Sequence, residues 1–306
     1  MRISTQTLYE TGAARIGELN SGLVKTQQQI ASGRRILSPA DDPVGAARAL
    51  EVSQSQALNT QYGINRQHAK SSLSSVEGTL SSVTSLLQDA KATVIAAGNA
   101  TLTDIERGFM ANELRGRFEE LLGHANSRDP VGNYQFSGYQ LDTPAFAKDP
   151  VTQAVTYAGD MGQRLMQVDA SRQMAVTNPG LAVFQGGGQD VFATLNELIT
   201  LLETPVVDQP GIDNLNAGLA TANTNLGLAL DNVLAVRASV GARLQELDAL
   251  DNSGSDRDLQ YSQILSELQD LDYSKALTQL TQQQVTLEAA QRSFVAISGL
   301  SLFNYL

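Results

Sequence analysis

Steps of three and four residues from Tyr9 land on Gly12, Ile16, Leu19, Leu23, Thr26, Ile30, Gly33 and Leu37. This is a narrow stripe with a period of about 3.5 residues and polar interruptions. The same stepping near the other end gives Tyr273, Ala276, Leu280, Gln283, Leu287, Ala290, Phe294 and Ile297. Each stripe predicts an amphipathic helix, and a lone helix is marginal in water unless its apolar face is covered. The two terminal helices therefore need partners: each other first, a neighbouring copy of the chain second.

Between them the pattern is stronger. Leu73, Val76, Leu80, Val83, Leu87, Ala90, Val94 and Ala97 form an unbroken apolar seam. With the residues before it, the seam predicts one helix from about Val44 to Ala97, roughly 80 Å long at about 1.5 Å per residue. A compact globule of 306 residues has a radius of gyration of only about 19 Å, so an elongated rod is expected. A second helix is predicted from Thr103, where Thr-Asp-Ile-Glu makes a capping box with Glu106, through Phe109, Leu114, Phe118, Leu121 and Leu122. A third steps through Leu215, Leu219, Ala222, Leu226, Ala229, Val233, Val236, Val240, Leu244 and Leu247. "NSGSD", residues 252–256, is expected to interrupt it before the final helix.

Two places break the helical texture. In "SPADDPVG", residues 38–45, each proline biases the residue before it, Ser38 or Asp42, away from the α region. Asp42 is a good N-cap with Pro43 at the first helical position. Ser38, Pro39, Asp41, Asp42 and Pro43 thus form a joint that ends one helix and starts another. Over residues 129–188 four of the eight prolines and eight glycines appear, and apolar residues begin to alternate. "NYQFSGYQ", "QAVTYAGD", "QRLMQVDA" and "RQMAVT" are predicted as short strands, with "AGDMG" as a hairpin turn. The expected fold is mainly α: a helical rod with long antiparallel, coiled-coil helices from both termini and a small inserted β-rich domain.

Composition narrows the function. There is no cysteine, hence no disulfide, thiolate metal site or cysteine nucleophile. No run approaches the roughly 18 apolar residues of a membrane helix, and the first 20 residues lack the apolar core of a cleaved signal peptide. A net charge of −11 argues against nucleic acid. Residues 1–70 carry eight Lys or Arg against five Asp or Glu, and residues 245–306 carry three against nine. Opposite balances at the two ends fit their lying side by side.

The two histidines, His68 and His124, have no partner pattern, and "GGGQD" lacks the lysine of a phosphate loop. Asp248, Asp251, Asp256 and Asp258 do not follow the order of a calcium loop and are read as a solvated turn. Asn99-Ala100-Thr101 matches the N-glycosylation pattern. The expectation is no enzyme, no cofactor and no metal.

"IASGRRILSPADDPVGAARAL", residues 30–50, resembles the N-terminal signature of bacterial flagellins and their relatives. "VGARLQEL", "LDYSKALTQLTQQQ" and the terminal "SLFNYL" are similar to the matching C-terminal end. Within that superfamily, "QYGINRQHAKSSLSSVEGTLSSVTSLLQDAK" and the ending with Phe303 and Tyr305 most resemble the branch that forms the junction between hook and filament.

The resemblance implies that residues 1–40 and 256–306 pair as an inner helical layer. Residues 41–128 and 189–255 would be the two halves of an outer bundle, and residues 129–188 an insertion. Ile16, Leu19, Leu23, Ile30, Leu37, Tyr273, Leu280, Leu287, Phe294 and Ile297 would then be the assembly seam. The implied partners are further copies in a ring, the first hook-associated protein on the hook side and flagellin on the filament side. A cytosolic export chaperone at the C-terminal helix is implied too, with flagellar type III export to the cell exterior and neither nucleic acid nor membrane insertion. A filament flagellin is the alternative. A secreted enzyme or adhesin on the same scaffold would need convergent polar groups in residues 129–188, and none is evident.

Overall fold

Seams of apolar residues at helical spacing do become helices. The computed structural model describes residues 5–129 and 131–299. Phe303 and Tyr305 of the terminal motif lie outside the described residues, as does Pro130. The elements are α1 (Thr5–Ser32), α2 (Pro43–Ala97), α3 (Asp104–Ala125), β1 (Phe146–Lys148), β2 (Val155–Tyr157), β3 (Leu165–Asp169), β4 (Arg172–Ala175), α4 (Gly180–Phe184), α5 (Val191–Glu203), α6 (Gln209–Gln269) and α7 (Tyr273–Gly299). The chain divides into two compact units, one from residues up to Asn59 and from Ser255 onward, the other Thr60–Gly254.

In the Thr60–Gly254 unit the seam of α2 is buried at every position from Leu73 to Ala97. Leu215, Leu219, Ala222, Leu226, Ala229, Val233, Val240 and Leu247 of α6 are buried in the same core. α3 packs along α5. Its start is set by the expected capping box: Thr103 accepts from the Glu106 N–H, and Glu106 accepts from the Thr103 N–H at 2.8 Å. Phe109 of α3 faces solvent, while Leu114, Phe118 and Leu121 are buried.

The β segment departs from expectation in two ways. "NYQFSGYQ" forms turns rather than a strand, and the pairing is β1 with β2 and β3 with β4, both antiparallel. "AGDMG" therefore connects two hairpins instead of closing one. Asp160 explains this, because its Oδ1 accepts from Tyr139 N–H at 3.0 Å and Gly162 N–H at 2.7 Å, tying the loop to the turn before β1.

Strands of three residues cannot hold themselves. An aromatic cluster holds them instead. Phe146 of β1 lies 5.5 Å from Phe184 of α4 and 5.1 Å from Phe192 of α5, centroid to centroid. Phe136 meets Phe184 at 5.3 Å, and Phe192 meets Phe118 of α3 at 6.0 Å. The side-chain amide of Asn126, just past α3, donates from Nδ2 to Phe146 O and accepts at Oδ1 from Phe146 N–H, both at 2.9 Å, and so satisfies the free edge of β1 at that residue.

"NSGSD" does not interrupt α6, which runs unbroken through it to Gln269. The break falls at residues 270–272 instead.

Candidate assembly site: paired joints and terminal seam

α1 ends because Gly33 adopts a left-handed φ of +70°, cheap only for glycine. Beyond it the chain runs antiparallel to the break between α6 and α7. Arg35 N–H donates to Gln269 O at 2.7 Å and Leu271 N–H donates to Gly33 O at 3.0 Å. Arg35 also donates from Nη2 to Leu268 O at 2.8 Å and from Nη1 to Asp42 Oδ2 at 3.1 Å. The joint is thus two joints, each completing the other's backbone hydrogen bonds.

The two aspartates have separate tasks. Asp42 Oδ1 accepts from Gly45 N–H at 2.9 Å, which caps α2 with Pro43 as its first residue. Asp41 Oδ2 accepts from the Leu37 and Ser38 amides at 3.1 and 2.9 Å, while its Oδ1 meets Lys25 Nζ at 2.6 Å. Asp272 caps α7 in the same manner, accepting from Lys275 N–H at 3.0 Å. Lys25, then the Ser38 amide, hold the Asp41 carboxyl down at about 2. The Gly45 amide and Arg35 lower that of Asp42.

A carboxyl depressed in the folded state stabilises it fully above the unfolded pKa of about 3.9, and that contribution is lost as pH falls through the folded value. The joint is therefore expected to hold at neutral pH and loosen between about pH 4 and pH 2. A carboxyl NMR titration of Asp41 should give a midpoint near 2. A midpoint near 4, the ordinary aspartate range, would mean that Lys25 and the two amides do not bind it.

From the joints the terminal helices run antiparallel along one seam. A Cβ on Gly33 would stand 3.0 Å from the Tyr273 hydroxyl, one on Gly22 3.7 Å from Gln283, and one on Gly12 2.7 Å from the Phe294 ring. Tyr9 and Phe294 meet edge to face at 5.7 Å. Ile16, Leu19, Leu23, Ile30, Leu280, Leu287 and Phe294 are half-buried. Only Thr26 and Ala276 on these stripes are fully covered. Tyr273 and Ile297 each remain 51% exposed. Leu37 lies in the joint, past the end of α1, so the helical stepping that grouped it with the stripe does not extend to it. An open apolar groove of about 230 Å³ remains between Tyr9, Ile16, Phe294 and Ile297.

The ion pairs Arg15–Glu18 and Arg292–Glu288 each lie within one helix and are largely exposed. Such pairs contribute about 0–1 kcal/mol. Lys25, Arg35 and residues 268–272 complete the joint, and the sequence pattern did not single them out. Asp272 before Tyr273 carried an N-cap signal; the rest had no local one. Among the described residues no group of three or more His, Cys, Asp or Glu is placed to hold a metal ion. No described helix is long and apolar enough to cross a membrane.

Residues 3–141 match the model of the bacterial flagellin N-terminal helical region. The chain is 36% identical to flagellar hook-associated protein 3 of Escherichia coli K12, over 99% of both chains. This chain belongs to the flagellar hook-associated protein 3 family. Flagellin of Bacillus subtilis is more distant, 24% identical over 95% of this chain and 94% of its own. Among solved structures, hook-associated protein 3 of Legionella pneumophila aligns with a TM-score of 0.67 at 20% identity, over 71% of this chain and 98% of that one. FlgL of Xanthomonas campestris gives 0.64 at 16%, over 70% and 99%. Those two likenesses carry the fold, and the E. coli relative carries the family. The mainly helical architecture, with long helices from both ends and two small antiparallel sheets, is the fold of the hook-associated protein 3 family.

Proposed function

We propose that copies of this chain form a ring at the boundary between hook and filament of the bacterial flagellum. The first hook-associated protein lies on the hook side, and the opposite face presents a surface on which flagellin polymerises. Residues 1–40 and 256–306 supply the inner layer, residues 41–128 and 189–255 the outer bundle, and residues 129–188 an outward insertion. The role is mechanical, without catalysis or cofactor. The observation that carries this reading is the half-covered seam: α1 and α7 pair, yet Tyr273, Ile297 and the groove at Phe294 stay open to solvent. A stripe of that kind recovers its full burial, about 1.5–3 kcal/mol per large side chain, only against neighbouring copies. Before assembly it needs shielding, which is the task assigned to a cytosolic chaperone on α7 during type III export.

Purified protein added to isolated hooks that lack it, followed by flagellin monomers, should yield hooks bearing filaments. Bare hooks after both additions would contradict the reading. A filament subunit, by contrast, would extend flagellin seeds into long filaments unaided, whereas a junction protein stops at a short ring.

A further inference from the structure

Residues 251–256, Asp-Asn-Ser-Gly-Ser-Asp, are six consecutive poor helix formers. α6 nevertheless passes through them unbroken. Asn252, Ser253, Ser255 and Asp256 are exposed, so core packing of these side chains does not hold the helix there. Gly254 alone among them is buried, and it faces Arg66 of α2. A Cβ on Gly254 would stand 2.4 Å from Arg66 Nη2, and one on Gly63 of α2 would stand 3.6 Å from the same atom. Gly254 thus leaves room for the guanidinium, whereas a Cβ on Gly63 would only touch it in ordinary contact.

Arg66 is buried, only 3% exposed. Its Nε donates to Asp251 Oδ1, and its Nη1 donates to Val168 O of β3 at 3.1 Å. The adjacent Asn65 donates to Gln167 O at 2.8 Å, and Lys70, one turn on, pairs with Asp248 at 2.5 Å. A buried cation is costly to leave unpaired, and the partners that satisfy this one are Asp251, presented by a turn of α6, and the Val168 carbonyl of β3.

We propose that Arg66 is the positioning residue that makes α6 continuous. With the guanidinium seated, residues 251–256 are helical. With it displaced, they become the break that their composition predicts. Asp251 and Gly254 belong to the same compact unit as Arg66.

Hydrogen exchange of the amides of residues 252–258 in the full chain tests this, because local opening is read residue by residue. Arg66→Met should speed their exchange by about tenfold or more, the loss expected for hydrogen bonds to a charged group. Amides of residues 73–94 should be unaffected. Gly254→Ala makes the sharper test, and it does not remove the cation. Alanine is the better helix former, yet its Cβ displaces Arg66, so exchange should again rise. Slower or unchanged exchange in Gly254→Ala would overturn the proposal, as would unchanged exchange in Arg66→Met. Adding Asn252→Ala and Ser253→Ala to Arg66→Met should restore slow exchange by raising local helix propensity at exposed positions. Failure of that rescue would mean that Arg66 acts only on the packing of its own unit and would also overturn the proposal.

Discussion

Cells carrying Phe294→Asp in place of the wild-type chain are expected to make hooks without filaments. Phe294 closes against the ring of Tyr9 and the backbone at Gly12, at the open end of the terminal pair. The substitution removes an aromatic side chain whose burial is worth about 1.5–3 kcal/mol. It also puts a carboxylate where the ring sat, at a cost of several kcal/mol more if covered. A loss of only about 3 kcal/mol per contact would weaken association by over a hundredfold, and every copy in a ring carries the defect. Leu287→Asp, two turns earlier on the same half-buried stripe, should behave alike. The Thr60–Gly254 unit contains neither residue, so the purified variants should keep the thermal transition of that unit. Electron micrographs of hooks from a complemented null strain give the count. Filaments at wild-type frequency in both variants would refute the role of the seam.

The second large effect is on stability. Phe184→Ala should lower the melting temperature of the Thr60–Gly254 unit by about 10 °C. Phe184 is 1% exposed and touches the rings of Phe136, Phe146 and Phe192 at once. A buried Phe→Ala change costs about 3–5 kcal/mol, and each kcal/mol shifts a unit of this size by about 2–4 °C. β1 is fastened to α4 and α5 through the Phe146 ring, so the amides of β1 and β2 should lose protection before those of α2; β3 and β4 are tied instead to α2 and α6 by Arg66, Arg172 and Arg243. Calorimetry with exchange on the same sample checks both points. A shift under about 3 °C, less than one such contact should give, would mean that the aromatic cluster is not what fastens the insertion.

How far the chain could be read in advance depended on the range of the forces involved. The seam from Leu73 to Ala97 was legible because one helix carries the whole pattern and one core buries it. Thr103 with Glu106 and Asp42 with Pro43 were legible because a cap is satisfied within three residues. The pairing of the joint with residues 268–271 was not, since Arg35 reaches Leu268 across 233 positions through backbone atoms that every residue has. The unbroken α6 was not legible either, because Asp251 and Gly254 answer to Arg66 on another helix. β1 escaped for a different reason: three residues are too few to show alternation, and Phe146 is held by Asn126 as much as by β2.

If the paired terminal helices carry assembly at the hook–filament boundary, an electron cryomicroscopy map of that boundary will show them doing so. The expected map holds a ring of this chain between hook and filament, α1 and α7 antiparallel on the axial side, with the groove at Tyr9 and Phe294 filled by a neighbouring copy. A boundary that lacks the chain, or a ring in which that groove faces open solvent, would contradict it.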